Sequence, residues 1–229
     1  MLILAVDTTT SSGSTALLED KRLLGEINLD SPETHSERLL PSIHFLLNSF
    51  GKTIHDIDGF ALAAGPGSFT GIRIGMSLVK SFVYASGKPV APVSTLQALA
   101  EKMSNTRERL FCPLLDARKG EVYSALYEKK NKEKKEVISQ GVYKPDALFS
   151  QFPAHRAVVF LGNGTDLYRE KIKDYFKDKA RFSSRSLYIA YEIGLLGQHM
   201  LREKKGIDSL NLMPIYFRKS QAEEKRRIK

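Results

Sequence analysis

The sequence predicts an α/β protein of two similar units, each a mixed β-sheet with flanking helices. Two observations carry this expectation. Each half of the chain opens on an apolar strand that ends in aspartate, residues 2–7 at Asp7 and residues 111–116 at Asp116, followed by two further strand-like segments and then helices. Each half also holds an apolar run that breaks at a glycine turn into a helix, at Gly65 and at Gly162. With 229 residues and 42% hydrophobic content, the chain can bury one large core or two modest ones. The boundary is expected near 104–110, giving units 1–105 and 106–229, with the last helix a candidate to pack back on the first unit.

In the first unit, residues 2–7, 14–18 and 23–29 read as a three-stranded meander joined by short polar or Gly-containing turns. Ser31 is the expected N-cap of a helix over about 32–50, with Pro32 at the first helical position, where its missing N–H costs nothing. Leu39, Ile43, Leu46 and Phe50 define its buried stripe; Leu40 and Leu47 widen it, and Phe45 lies off it. A strand over 57–64 then runs into Gly65-Pro66-Gly67-Ser68-Phe69-Thr70-Gly71-Ile72-Arg73. Two readings of that loop compete: a phosphate cradle built from exposed N–H groups, or a rigid corner that aims the following helix.

That helix, over about 71–86, carries Ile72, Met76, Val79 and Val83 on one face and Ile74, Leu78 and Phe82 on another. Two apolar faces need two partners. The sheet supplies one; the first helix or another protein supplies the second, and Gly71 and Gly75, four apart, would permit close helix approach. After residues 89–93 and a helix over 96–103, the second unit reads as strands 111–116, 121–127 and 136–140, a strand 158–161, the turn Gly162-Asn163-Gly164-Thr165, and a helix over 166–175. A longer helix over about 187–204 shows Ile189, Ile193, Leu196 and Met200 on one stripe.

Composition excludes several classes. The first residues turn polar at Asp7-Thr8-Thr9-Thr10, too early for a signal peptide or a membrane span. A single cysteine, Cys112, excludes an internal disulfide and fits a reducing, cytoplasmic setting, as a small buried residue rather than a reactive thiol. The net charge of +9 is uneven: residues 1–105 hold 8 Lys+Arg against 10 Asp+Glu, the remainder 27 against 16. The runs at 129–135, 169–181 and 225–229 can attract nucleic acid, yet the run at 129–135 has no interleaved aromatics and reads as a solvated hairpin tip.

The two β-β-β-α units resemble the actin/Hsp70/sugar-kinase (ASKHA) superfamily, in which Asp-containing turns bind a metal–phosphate group and a glycine turn holds adenosine. The corresponding turns here are Asp7-Thr8-Thr9-Thr10, Asp116-Ala117-Arg118-Lys119-Gly120 and Gly162-Asn163-Gly164, and they lack the glycines that would let backbone amides reach a phosphate. The combination of Asp7-Thr8, His35-Ser36-Glu37-Arg38-Leu39-Leu40-Pro41, the loop from Gly65 to Gly75 and Pro214-Ile215-Tyr216-Phe217-Arg218 resembles the bacterial TsaB family, also called YeaZ. That resemblance implies a non-catalytic paralogue of TsaD. TsaD transfers threonylcarbamoyl to adenosine 37 of tRNAs reading codons that begin with A, together with the ATPase TsaE and the adenylate-making TsaC. It further implies docking on TsaD by the two helices of the first unit, with Leu40, Phe45, Ile74, Leu78 and Phe82 as interface candidates, a homodimer on the same face without TsaD, and tRNA contact only through the complex. Asp7, His35, Glu37, Gly65, Pro66, Gly67, Ser68, Thr70, Gly71, Arg73 and Asp116 are expected to be structural motif residues.

The residues themselves add that no cofactor and no metal site is expected. The catalytic paralogue has a metal-binding His-x-x-x-His pair, whereas here no two histidines are four apart and Leu39 stands four residues after His35. His35 is expected to hydrogen-bond locally with Ser36 and Glu37. The competing class is a small-metabolite kinase or ATPase of the same superfamily, with Asp7 and Asp116 on the metal and Gly65 and Gly67 near phosphate.

Overall fold

A computed structural model describes residues 1–30, 34–103, 106–131, 133–153 and 155–218. They form two units: Met1–Ala98 with Tyr188–Ile215, and Leu99–Leu187 with the residues from Tyr216 on. In the first unit, β1 (Leu2–Asp7), β2 (Gly13–Glu19) and β3 (Arg22–Leu29) pair antiparallel, while β4 (Gly59–Gly65) and β5 (Val90–Ser94) extend the sheet in parallel from β1, in the order β3-β2-β1-β4-β5. Every residue of β1 and β4 is buried, because both are interior strands covered on both faces. Leu2, Leu4, Val6, Leu17, Phe60 and Leu62 face the core under helices α1 (His35–Ser49) and α2 (Phe69–Ser86). Each such fully buried side chain contributes about 1.5–3 kcal/mol.

The start of α1 differs from the expectation. The helix begins at His35 with Thr34 as N-cap, and the Glu37 carboxylate accepts from the Thr34 N–H at 2.9 Å and from its hydroxyl at 2.7 Å. Ser31 and Pro32 lie outside the described residues. Leu39, Ile43, Leu46 and Leu47 are buried, whereas Phe50 is the C-cap and 40% exposed, its ring lying over Gly25 of β3. On α2 the buried face is Ile72, Met76, Val79 and Val83, as the spacing predicts. Helix α3 (Thr95–Lys102) follows β5, and the two units divide within it, between Ala98 and Leu99, rather than near 104–110.

The second unit repeats the strand order. β6 (Leu110–Arg118), β7 (Glu121–Lys130) and β8 (Glu133–Tyr143) are antiparallel, and β9 (Val158–Leu161) and β10 (Ala180–Phe182) add in parallel, giving β10-β9-β6-β7-β8. Strand β8 is longer than the predicted 136–140, because its lysines and glutamates lie on an edge strand with mostly solvent-facing positions. A short helix α4 (Pro145–Phe149) follows β8, and two short helices, α5 (Asn163–Leu167) and α6 (Arg169–Phe176), replace the single helix expected at 166–175; the chain breaks at Tyr168. Phe149, Phe160 and Phe176 pack edge-on or tilted beneath them at 5.2–6.3 Å. Cys112 is fully buried 3.3 Å from the Ser124 hydroxyl, and burial pushes its thiol up to about 12.

The last helix, α7 (Ala190–Arg202), belongs to the first unit and covers the opposite face of its sheet. Its buried residues include Ala190, Ile193, Gly194, Gly197, Gln198 and Leu201; of the predicted stripe, Ile189 and Ile193 are buried as expected, while Leu196 and Met200 lie on a half-buried flank. The reason is close approach: a Cβ on Gly194 would strike the Leu18 side chain, and one on Gly197 would strike the Ala61 methyl. After α7 the chain bonds to β5 through Ile207 and Val90 and buries Leu212 in the core under α1 and α2. Among the described residues no helix is long and apolar enough to cross a membrane.

Candidate functional site

The glycine loop is closed against the turn that follows β1. Ser68 donates its N–H to the Thr9 carbonyl at 2.6 Å, Gly71 donates to the Ser68 hydroxyl at 3.2 Å, and Ile72 donates to the Ser68 carbonyl at 2.9 Å. Thr8 returns a hydrogen bond from its hydroxyl to the Gly71 carbonyl at 2.8 Å. A Cβ on Gly67 or Gly71 would run into the Thr9 or Thr8 carbonyl, and one on Gly75 into the Thr8 hydroxyl. Gly71 and Gly75 therefore admit the Asp7-Thr8-Thr9 turn, not a second helix as their spacing suggested. Gly65, at φ +117, is held from the other side, where Ile215 donates to the Ala64 carbonyl at 2.8 Å and fills the space of a Gly65 Cβ with its own carbonyl. Pro66 is buried, while Ser68, Thr70 and Arg73 reach the surface, the Arg73 guanidinium stacked 3.8 Å from the Phe69 ring centroid.

Asp7, the last residue of β1, and Asp116, two residues before the end of β6, are both turned onto their own loops. Asp7 is fully buried and its Oδ1 accepts from the Thr9 N–H at 2.9 Å and the Thr9 hydroxyl at 2.7 Å. Asp116 accepts from the Arg118 N–H at 2.8 Å and lies 3.3 Å from the Arg118 guanidinium. The hairpin beyond it turns through Lys119 and Gly120, both at positive φ. In the same unit Gly162 and Gly164 pack against the Leu114 carbonyl, and Asn163 accepts the Asp116 N–H at 3.0 Å. Each unit thus sets a glycine turn against the end of its first strand. Among the described residues no group of three or more His, Cys, Asp or Glu side chains is placed to hold a metal ion.

His35 does not bond to Ser36 or Glu37, whose side chains meet Thr34 instead. Because α1 starts at residue 35, the ring reaches the β1–β2 turn: Nε2 donates to the Thr10 carbonyl at 2.7 Å, leaving Nδ1 as acceptor for the Arg38 guanidinium at 3.3 Å. Arg38 also donates to the Ser11 carbonyl at 2.7 Å. Burial, and secondarily the neighbouring Arg38 charge, hold the imidazole below its ordinary value of 6.5, with the Thr10 bond opposing.

Between α1 and α2 lies a groove of about 620 Å³ with Leu39, Leu40, Ile74 and Leu78 as its apolar lining and Ser36, Thr70, Ser77 and Ser81 supplying hydroxyls. Leu40 is 50% exposed; Ile74 and Leu78 are half-buried. The structure brings these three together. It does not bring Phe45 to them: that side chain, 68% exposed, lies five residues beyond Leu40 and so about 140° round the helix. Phe82 is half-buried and stacks on Phe60 at 6.0 Å. The hydroxyl lining and the Arg73–Phe69 stack were not read from the sequence; the four-residue spacing of Ser77 and Ser81 was the available signal.

A family model described as tRNA N6-adenosine threonylcarbamoyltransferase, TsaD, matches residues 29–226. The tRNA threonylcarbamoyladenosine biosynthesis protein TsaB of Bacillus subtilis (strain 168) is 34% identical over 230 residues, covering 98% of this chain and 97% of that protein. The solved structure of YeaZ from Pseudomonas aeruginosa matches with a TM-score of 0.80 at 28% identity, over 94% of this chain and 99% of that one. A ROK hexokinase from Thermus thermophilus, 12% identical, matches with a TM-score of 0.52 over 89% of this chain and 100% of that one, which shows the actin/Hsp70/sugar-kinase fold alone. With the same two-sheet architecture and near full-length similarity to its relatives, the chain belongs to the TsaB (YeaZ) family.

Proposed function

We propose that this chain serves tRNA threonylcarbamoyladenosine biosynthesis as a non-catalytic subunit, docking through its α1/α2 groove onto a TsaD-type catalytic paralogue that modifies adenosine 37 of tRNAs reading ANN codons. The observation that carries the reading is the groove itself, where Leu40 stands half in solvent beside the half-buried Ile74 and Leu78. Burying such a lining against a partner helix is favourable, and the hydroxyls at 36, 77 and 81 can satisfy polar groups that the partner brings. In this reading Phe45 contributes at the margin of the interface and Phe82 supports α2 from below. The glycine loop fixes the direction of α2 and so aims the groove.

TsaE as ATPase and TsaC as source of the adenylate act around this pair, tRNA is reached through the complex, and two copies join by the same face when TsaD is absent. The setting is the cytoplasm. A kinase or ATPase reading is disfavoured because the amides of Ser68, Gly71 and Ile72 are engaged within the protein and the glycines admit Thr8 and Thr9, not a phosphate. Reconstitution with TsaD-, TsaE- and TsaC-type proteins tests the proposal: omitting this chain is expected to lower threonylcarbamoyl transfer more than about tenfold. Transfer at an undiminished rate without it would remove the assignment.

A further inference from the structure

The groove between α1 and α2 ends at a histidine whose hydrogen bonds admit one protonation state. Nε2–H of His35 donates to the Thr10 carbonyl, so Nδ1 carries the lone pair that faces the Arg38 guanidinium at 3.3 Å. Arg38 is 8% exposed and anchored on the Ser11 carbonyl. Gly13 gives the ring its place, since a Cβ there would come within 2.9 Å of the His35 Cε1. His35 and Arg38 together therefore fasten the first turn of α1 to the β1–β2 turn. The same histidine lines the groove beside Ser36, Leu39 and Leu40.

A second proton on Nδ1 would replace the acceptor with a donor aimed at a cation, and the contact would become repulsive in both hydrogen bonding and charge. Among the described residues, the charged groups on the elements around the ring are few. Arg73, which lines the groove from α2, is also cationic; the Asp7 carboxylate at the end of β1 engages Thr9, and the Glu37 carboxylate on α1 engages Thr34. We infer that His35 is a proton-controlled latch on the docking groove: neutral, it fixes the start of α1 and the end of the groove; protonated, it lets go of Arg38, and partner binding weakens. The inference rests on the docking reading above. Because the folded protein disfavours the imidazolium, the latch is closed at and above the ordinary value of 6.5 and opens as pH falls through the lower folded value.

The test has two arms. In the free protein, methyl resonances of Leu40, Ile74 and Leu78 are followed by NMR from about pH 8 to 5 together with the His35 ring. They are expected to shift in step with the ring, and methyls that ignore the ring titration would overturn the latch without recourse to any variant. In the second arm, affinity for a TsaD-type partner is measured at about pH 7.5 and 5.5 for the wild type and for His35→Gln, whose amide can donate to Thr10 and cannot take up a proton. The wild type is expected to weaken measurably on acidification, by less than about tenfold because the folded value lies below 6.5, and the variant to keep its affinity. Equal pH ratios in the two proteins would overturn the inference. A wild type that does not bind at about pH 7.5 would overturn the docking reading and its regulation together, while the methyl titration would still report whether the latch exists.

Discussion

Gly71 and Gly87 stand at the two ends of α2 and are glycine for different reasons. A Cβ on Gly71 would strike the Thr8 carbonyl, whereas around Gly87, at φ +68, a Cβ would meet nothing within 4 Å. Gly71→Ala is expected to cost about 1–3 kcal/mol through overpacking, and Gly87→Ala about 1 kcal/mol through backbone strain alone. Thermal or urea denaturation checks both, and equal small losses would contradict the close packing of loop on turn. His35 gives a second residue-level expectation. Since its folded value lies below the ordinary 6.5, it contributes stability that is complete above that pH and lost as pH falls through the folded value; His35→Gln should flatten that part of the stability profile. The sequence made the glycine loop conspicuous. It could not show that the groups filling the glycine positions are Thr8 and Thr9, about sixty residues earlier, because nothing local encodes a tertiary contact.

At the scale of elements, legibility followed side-chain size. The buried stripe of α2 consists of large apolar residues and was readable from spacing. The buried face of α7 includes Ala190, Gly194, Gly197 and Gln198, small or polar groups chosen for close approach to the sheet, so apolar periodicity pointed instead to Leu196 and Met200. Gly197→Leu should accordingly destabilise by about 1–3 kcal/mol or more, and Leu196→Ala by less than about 1.5 kcal/mol. A larger loss at Leu196 in denaturation experiments would mean that the sheet-facing side of α7 is assigned wrongly. The same limit applied to α1, where Leu40 read as a widening of the core stripe but stands 50% exposed on the groove. Phe45 was correctly off the stripe, yet its direction relative to α2 depended on where the helix starts.

For the molecule as a whole, the repeated strand order was legible because each half opens on the same strand-Asp pattern, and both sheets follow it. The return of residues 188–215 to the first unit was legible only as a candidate packing of the last helix, because nothing in a helix's own sequence names the sheet that it covers. If the glycine turns are corners and not cradles, the isolated chain should show no micromolar binding of Mg-ATP in isothermal titration. The most direct measurement is the affinity of the purified chain for a TsaD-type partner, compared among the wild type, Leu40→Asp and Leu78→Asp in the groove, and Tyr84→Asp, which is 85% exposed on α2 and outside it. With folding verified by circular dichroism, the two groove variants are expected to lose binding by about a hundredfold or more and Tyr84→Asp to bind within about twofold of the wild type. Undiminished binding by folded Leu40→Asp and Leu78→Asp would contradict the proposed role of the groove.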